Sequence, residues 1–102
     1  MELTEISVRL RNDHKLKAFV NVTFDNAFSV KGLKIIGSRK GLILCMPSRK
    51  VEGGVQRDIA HPISKEFRSK LESEILAEYE RTLERAARGE IEFEEVLDEE
   101  DY

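Results

Sequence analysis

The chain has no tryptophan, one cysteine, two prolines and two histidines among its 102 residues. The single cysteine, Cys45, cannot close an intramolecular disulfide or hold zinc alone, which suits a reducing cytoplasm. Its expected role is that of a small apolar residue in a strand. No apolar run approaches the ~20 residues that a membrane-spanning helix needs, and no basic-then-apolar leader opens the sequence. HxH, HExxH, CxxC, GxSxG and P-loop patterns are all missing. Gly53-Gly54 lacks the Lys-Ser/Thr and helix of a phosphate loop, so it reads as a turn. His14 falls in a turn, and His61, just before Pro62, is expected to pin a strand-to-helix corner through a side-chain hydrogen bond. These absences argue against an enzyme and against a metal, a cofactor or a small-molecule substrate. Aromatic residues make up 7% of the chain. Phe19, Phe24, Phe28 and Phe67 read as core, leaving no sheet face of aromatics interleaved with cations for bases to stack on.

Charge is plentiful but unevenly placed. Residues 1–70 carry 14 Lys/Arg against 7 Asp/Glu, and residues 71–102 carry 3 against 13. The formal net charge of −3 therefore hides a basic front and an acidic rear. A polyanion is a plausible partner for the first part only.

The length fits one domain, taken here as residues 1–89, followed by an acidic tail at 90–102. Ile6, Val8 and Leu10 alternate with Glu5, Ser7, Arg9 and Arg11, the period of a half-buried strand over about 2–11. Ala18, Val20, Val22 and Phe24 form one face of a second strand, and Lys17, Phe19, Asn21 and Thr23 the other. Asn12-Asp13-His14 and Asp25-Asn26 supply tight turns, so the first three strands read as an antiparallel meander. The third, at about 28–36, is interrupted by Gly32, and the apolar phase shifts there from Phe28 and Val30 to Leu33 and Ile35, as at a bulge. Leu42–Met46 is apolar on both faces, which predicts either a central strand or one covered by a partner. Val55–Ala60 reads as a fifth, shorter strand after the Gly-Gly turn.

From Ser64 the period changes to 3.6. Phe67, Leu71, Ile75, Tyr79, Leu83 and Ala86 make one stripe, Ser64 is a good N-cap, and Gly89 sits where a helix stops, predicting a helix over about 65–88. The fold class is thus α+β: an antiparallel sheet of about five strands with one long C-terminal amphipathic helix packed on it. Phe19 on the other sheet face and the apolar strand 42–46 leave more apolar surface than one helix covers, which predicts a homodimer. The tail mixes eight carboxylates with Ile91, Phe93, Val96 and Leu97. Its composition fits a disordered segment better than a short docking one.

Lys65, Arg68 and Lys70 occupy the first two turns of this helix, relieved only by Glu66. Cations are disfavoured at a helix N-terminus, so the order makes sense if an external anion such as a phosphate binds there. Arg49 and Lys50 follow Pro47-Ser48, and Arg57 lies across the Gly-Gly turn. With the loop Arg39-Lys40 they are expected to converge on the helix start as one basic patch. A dimer would double that patch, as two phosphate tracks of a duplex or one long strand require.

The order of these parts resembles the stage V sporulation protein G (SpoVG) family, also called septation proteins, over residues 1 to 88. The resemblance is carried by the turn Met46-Pro47-Ser48-Arg49-Lys50 and by Arg57-Asp58-Ile59-Ala60-His61-Pro62-Ile63 leading to the helix. It implies a dimeric bacterial regulator of gene expression, linked to sporulation and septum formation. Such a regulator binds DNA, and in some members RNA, through the basic turn (Arg49, Lys50, Arg57) and more loosely through the helix start (Lys65, Arg68, Lys70). The alternative is a protein-interaction module whose basic patch meets an acidic partner protein without contacting nucleic acid. The acidic tail carries a further expectation, that it imitates a phosphate chain and competes for the protein's own cations.

Overall fold

The computed structural model describes residues 1–94. Four antiparallel strands, β1 (Leu3–Leu10), β2 (Leu16–Phe24), β3 (Phe28–Ser38) and β4 (Gly41–Cys45), follow one another in a meander in the order β1-β2-β3-β4. A short ribbon of β5 (Ser48–Lys50) and β6 (Gln56–Asp58) follows, and then helix α1 (Lys65–Ala87). The α+β class and the meander are as the sequence predicts. The fifth-strand region instead pairs with β5, outside the main sheet. Pro47 explains the break, because it has no N–H to continue the ladder after Cys45. Its carbonyl accepts from the Ile59 amide at 2.7 Å and closes the base of the ribbon.

Turn chemistry sets the register. Asp25 and Asn26 take left-handed backbone angles (φ 53 and 51), and the Ala27 amide donates to Phe24 at 2.9 Å, which reverses the chain between β2 and β3. The Asp13 carboxylate accepts from the amides of Leu16 (2.7 Å) and Lys15 (3.0 Å) at the β1–β2 turn. Those amides hold its carboxyl below its ordinary range. Gly32, with φ 90, is the bulge residue: Val20 pairs with Leu33 but Val22 with Val30, and Asn21 Oδ1 accepts from the Gly32 amide at 3.2 Å.

Across the four strands, Leu10, Ala18, Ile35 and Leu44 form one row of the helix-facing side, and Val8, Val20 and Leu33 the next. α1 lays Phe67, Leu71, Ile75 and Tyr79 against this face, with the Phe67 and Phe24 rings 5.9 Å apart. Burial pushes the Tyr79 phenol pKa up. Thr82 joins the buried line beside Leu83 and Ala86, which are half-buried against the core, because a step of 3.6 residues from Tyr79 falls between 82 and 83. Its hydroxyl donates to the Glu78 carbonyl at 2.7 Å, so the buried oxygen is satisfied. Phe28 departs from its core assignment, being 62% exposed at the start of β3.

The helix starts as its sequence asks, with the Ser64 hydroxyl accepting from the Phe67 amide at 3.1 Å. Ser64→Ala should cost about 1 kcal/mol in thermal unfolding, and an unchanged midpoint would show that water replaces the cap. At the other end Gly89 (φ 81) forms a Schellman turn, with the Gly89 amide bonded to Ala86 (3.0 Å) and the Glu90 amide to Arg85 (2.9 Å). The chain then turns back. Ile91 packs at the rim of the core, and Glu94 exchanges backbone hydrogen bonds with Leu10 (2.8 Å) and Asn12 (2.9 Å) beside β1. Residues 90–94 of the acidic tail are thus docked, and the remainder of the tail, 95–102, lies outside the described residues. No helix among the described residues is long and apolar enough to cross a membrane.

Candidate nucleic-acid interface

The β5–β6 ribbon holds the cations that the sequence singles out. Ser48 faces Asp58, Arg49 faces Arg57, and Lys50 faces Gln56. Two arginines directly opposite one another on a ribbon repel, a placement that local stability disfavours. Both are exposed, as is Lys50. Among the described residues no carboxylate ion-pairs with any of the three. The rear of α1 behaves differently: Arg81 and Arg85 share the Glu78 carboxylate at 2.9 Å each, and Arg88 meets Glu90 at 2.8 Å.

Lys65 and Lys70 are exposed on the first two turns of α1 without an ion-pair partner among the described residues. Arg68 is half-buried and paired with Glu72 at 3.2 Å, so it adds less free charge than the other two. The ribbon base and the helix start border one apolar groove of about 390 Å³, whose lining includes Pro47, His61, Pro62, Ser64 and Phe67. His61 holds this corner as expected, with its Nδ1 3.2 Å from the Pro62 carbonyl oxygen. Ile59 (64% exposed) and Ile63 (93% exposed) stand in the same connection.

Arg39 and Lys40 do not join this patch. They form the β3–β4 turn, at the start of β4, whereas Pro47 follows its far end. Five residues of strand separate them, roughly 16 Å at ~3.3 Å per residue.

A second group of cations went unassigned in the sequence. On the sheet face away from α1, Arg9, Phe19, Lys34 and Cys45 lie in one row across the four strands. The Arg11 guanidinium sits 4.5 Å from the centre of the Phe19 ring, with Arg9 and the Lys34 ammonium each at 5.9 Å. Phe19 is only 6% exposed beneath them, so it is buried, but on the outer face of the sheet. The alternation of β1 and β2 carried part of this signal, since it placed Arg9, Arg11 and Phe19 outward. Lys34 required the bulge register.

The profile of the SpoVG family matches residues 1–81. That span includes the whole sheet, the ribbon and most of α1. The chain belongs to the SpoVG family. Relatives named "Putative septation protein SpoVG" include one from Thermoanaerobacter sp. (strain X514), 50% identical over 88 residues, covering 85% of this chain and 96% of that protein. One from Acetivibrio thermocellus is 51% identical over 81 residues, covering 78% and 86% respectively. One from Anaeromyxobacter dehalogenans (strain 2CP-C) is 44% identical over 87 residues, covering 85% and 86%. The SpoVG match stops inside α1, so the Schellman turn and the docked segment 90–94 lie beyond it.

Proposed function

We propose that this SpoVG-family chain is a homodimeric, non-enzymatic regulator that binds nucleic acid, DNA and also RNA, through phosphate contacts. The observation that carries the reading is the Arg49–Arg57 pair: two arginines opposed on a ribbon, next to Lys50, with no carboxylate partner among the described residues. Such a placement opposes local stability and favours an external anion. Lys65 and Lys70 extend the patch along the helix start. The septation name of the relatives supports a role in septum formation.

Support for the dimer comes from β4. The strand takes β3 as its only partner among the described residues, so it is an edge strand rather than a central one. Leu42 and Ile43 are 39% and 47% exposed on it. An unpaired apolar edge is a template for a second copy of the same strand. Phe19 no longer contributes to this argument, because it is already buried.

Arg57→Glu separates ligand binding from structure. It turns a repulsive cross-strand pair into an attractive one, so the ribbon should gain up to about 0.5 kcal/mol in thermal unfolding. Affinity for a labelled random duplex, and for single-stranded RNA, should nonetheless fall roughly tenfold, because a charge-assisted contact is lost. Unchanged affinity in the folded variant removes the ribbon from the interface. If neither nucleic acid binds wild type, and an acidic protein is captured stoichiometrically instead, the interaction-module reading takes its place.

A further inference from the structure

β4 pairs with β3 from Gly41 to Cys45, and among the described residues no strand lies along its other side. At the opposite side of the sheet, the end of β1 is taken by Glu94, whose backbone bonds to Leu10 and Asn12. A two-fold dimer built on the free β4 edge must be antiparallel, because only that pairing gives both copies the same ladder of hydrogen bonds. The register in which all five residues of β4 overlap their copies puts the axis at Ile43. Leu42 then faces the partner's Leu44, Ile43 faces its own copy, and each pair keeps to one side of the sheet. Antiparallel strands set the start of one beside the end of the other. The start of β4 follows the Arg39-Lys40 turn, and its end leads through Pro47 into Arg49 and Lys50. Within one chain that turn and Pro47 stand roughly 16 Å apart, at ~3.3 Å per residue. Across the axis the partner's Lys40 comes opposite Met46 and the partner's Arg39 opposite Pro47, about one strand spacing (~5 Å) away. A slip of two residues either way, which keeps the same faces paired, moves the turn by only about 7 Å and leaves it at that end.

We propose that the phosphate-binding surface is shared between protomers, with Arg39 and Lys40 of one chain completing the Arg49, Lys50 and Arg57 ribbon of its partner. The proposal rests on the nucleic-acid and dimer readings above and adds that neither chain holds the whole surface alone. Arg39 and Lys40 are exposed at the tip of a two-residue turn, and among the described residues neither meets a carboxylate. Each surface then gathers five cations, which repel one another until a phosphate strand lies across them. Dimer formation and nucleic-acid binding therefore favour one another. The two surfaces are related by the axis at Ile43, so one nucleic-acid strand or duplex can engage both.

Complementation between two damaged full-length chains is the test. One carries Arg39→Glu/Lys40→Glu and the other Arg49→Glu/Lys50→Glu, all at exposed positions. Each homodimer should bind a labelled random duplex at least tenfold more weakly than wild type. A heterodimer of the two, isolated through different affinity tags, holds one surface with all five cations and one with four reversed charges. Its affinity should recover about fivefold or more over either homodimer. If each surface lay within one chain, every surface in the heterodimer would keep a reversed pair and nothing would recover. The strand pairing is read separately, without nucleic acid. Ile43→Cys combined with Cys45→Ser sets two thiols across the axis with Cα atoms about 5 Å apart, so mild oxidation should yield a covalent dimer. Wild type should not cross-link, because Cys45 and the partner's Cys45 stand four residues apart along the strands, roughly 13 Å. The proposal is overturned if Arg39→Glu/Lys40→Glu binds as wild type does, if the heterodimer shows no recovery, or if light scattering finds wild type monomeric. A dimer in which Ile43→Cys gives no cross-link overturns it as well. Loss of binding in Arg49→Glu/Lys50→Glu without recovery in the heterodimer removes the shared surface alone and leaves the ribbon reading intact. A wild type that cross-links through Ile43→Cys but binds no nucleic acid instead removes the nucleic-acid reading, and the shared surface with it.

Discussion

Arg49→Glu/Lys50→Glu is expected to weaken nucleic-acid binding by about 100-fold at low salt while leaving the fold unchanged. Two charge-assisted contacts at roughly 1.5 kcal/mol each sum to about 3 kcal/mol, and every 1.4 kcal/mol is a factor of ten. Both side chains are exposed on a three-residue strand outside the main sheet, so their loss leaves no buried group unpaired. Circular dichroism and the thermal midpoint should therefore match wild type within error. The effect should be similar for different duplex sequences, because phosphate contacts position a protein without reading bases. A folded double variant with wild-type affinity would place the interface elsewhere.

The second large effect is structural. Ile75 is fully buried at the middle of α1, in the core cluster that also holds Val20, Leu33 and Ile35. Ile75→Ala removes apolar atoms from a site where the sheet cannot follow the helix inward, and should cost about 3 kcal/mol. For a domain of this size that is a fall of roughly 15 °C in the unfolding midpoint. Leu76, the next residue, is only half-buried, and Leu76→Ala should cost about 1 kcal/mol. Equal losses at the two positions would mean that the helix does not rest on the sheet by the stripe described. If the protein is a dimer, the midpoint of each variant should also rise with protein concentration.

Much of the fold was legible because each local signal had one dominant cause. Alternation in β1 and β2, the Asp25-Asn26 turn, the phase jump at Gly32, the Ser64 cap and the Gly89 stop each act over a few residues. All appear as the sequence implied. The misreadings share a different origin. Leu42–Met46 is apolar throughout, which fits a central strand or one covered by a partner; burial depends on what lies alongside, and the chain leaves the sheet at Pro47, so among the described residues β4 is an edge and the central-strand alternative falls away. Phe28 looks like core for the same reason, but it sits beside the β2–β3 turn, opposite Phe24, on the open side of the groove that it shares with Phe67.

At the candidate site, the ribbon cations were legible from their turn. The pairing of Arg49 with Arg57 was not, since it needs the β5–β6 register. The distance of Arg39-Lys40 from the patch follows from strand direction, which a list of cations does not carry. Glu94 was hidden for another reason: in composition it is one carboxylate among many, and only the return of the chain after the Schellman turn brings it to Arg9 and Arg11, away from the ribbon.

The most direct test of the phosphate-binding account is the salt dependence of wild-type affinity for a random duplex, followed by fluorescence anisotropy. Arg49, Lys50 and Arg57 in each half of a dimer allow about six phosphate contacts, so the logarithm of the association constant should fall against the logarithm of salt with a slope of about −5, or about −3 if one half alone engages the duplex. A slope near zero, or no binding at any salt concentration, would contradict the account and move the basic ribbon to a protein partner.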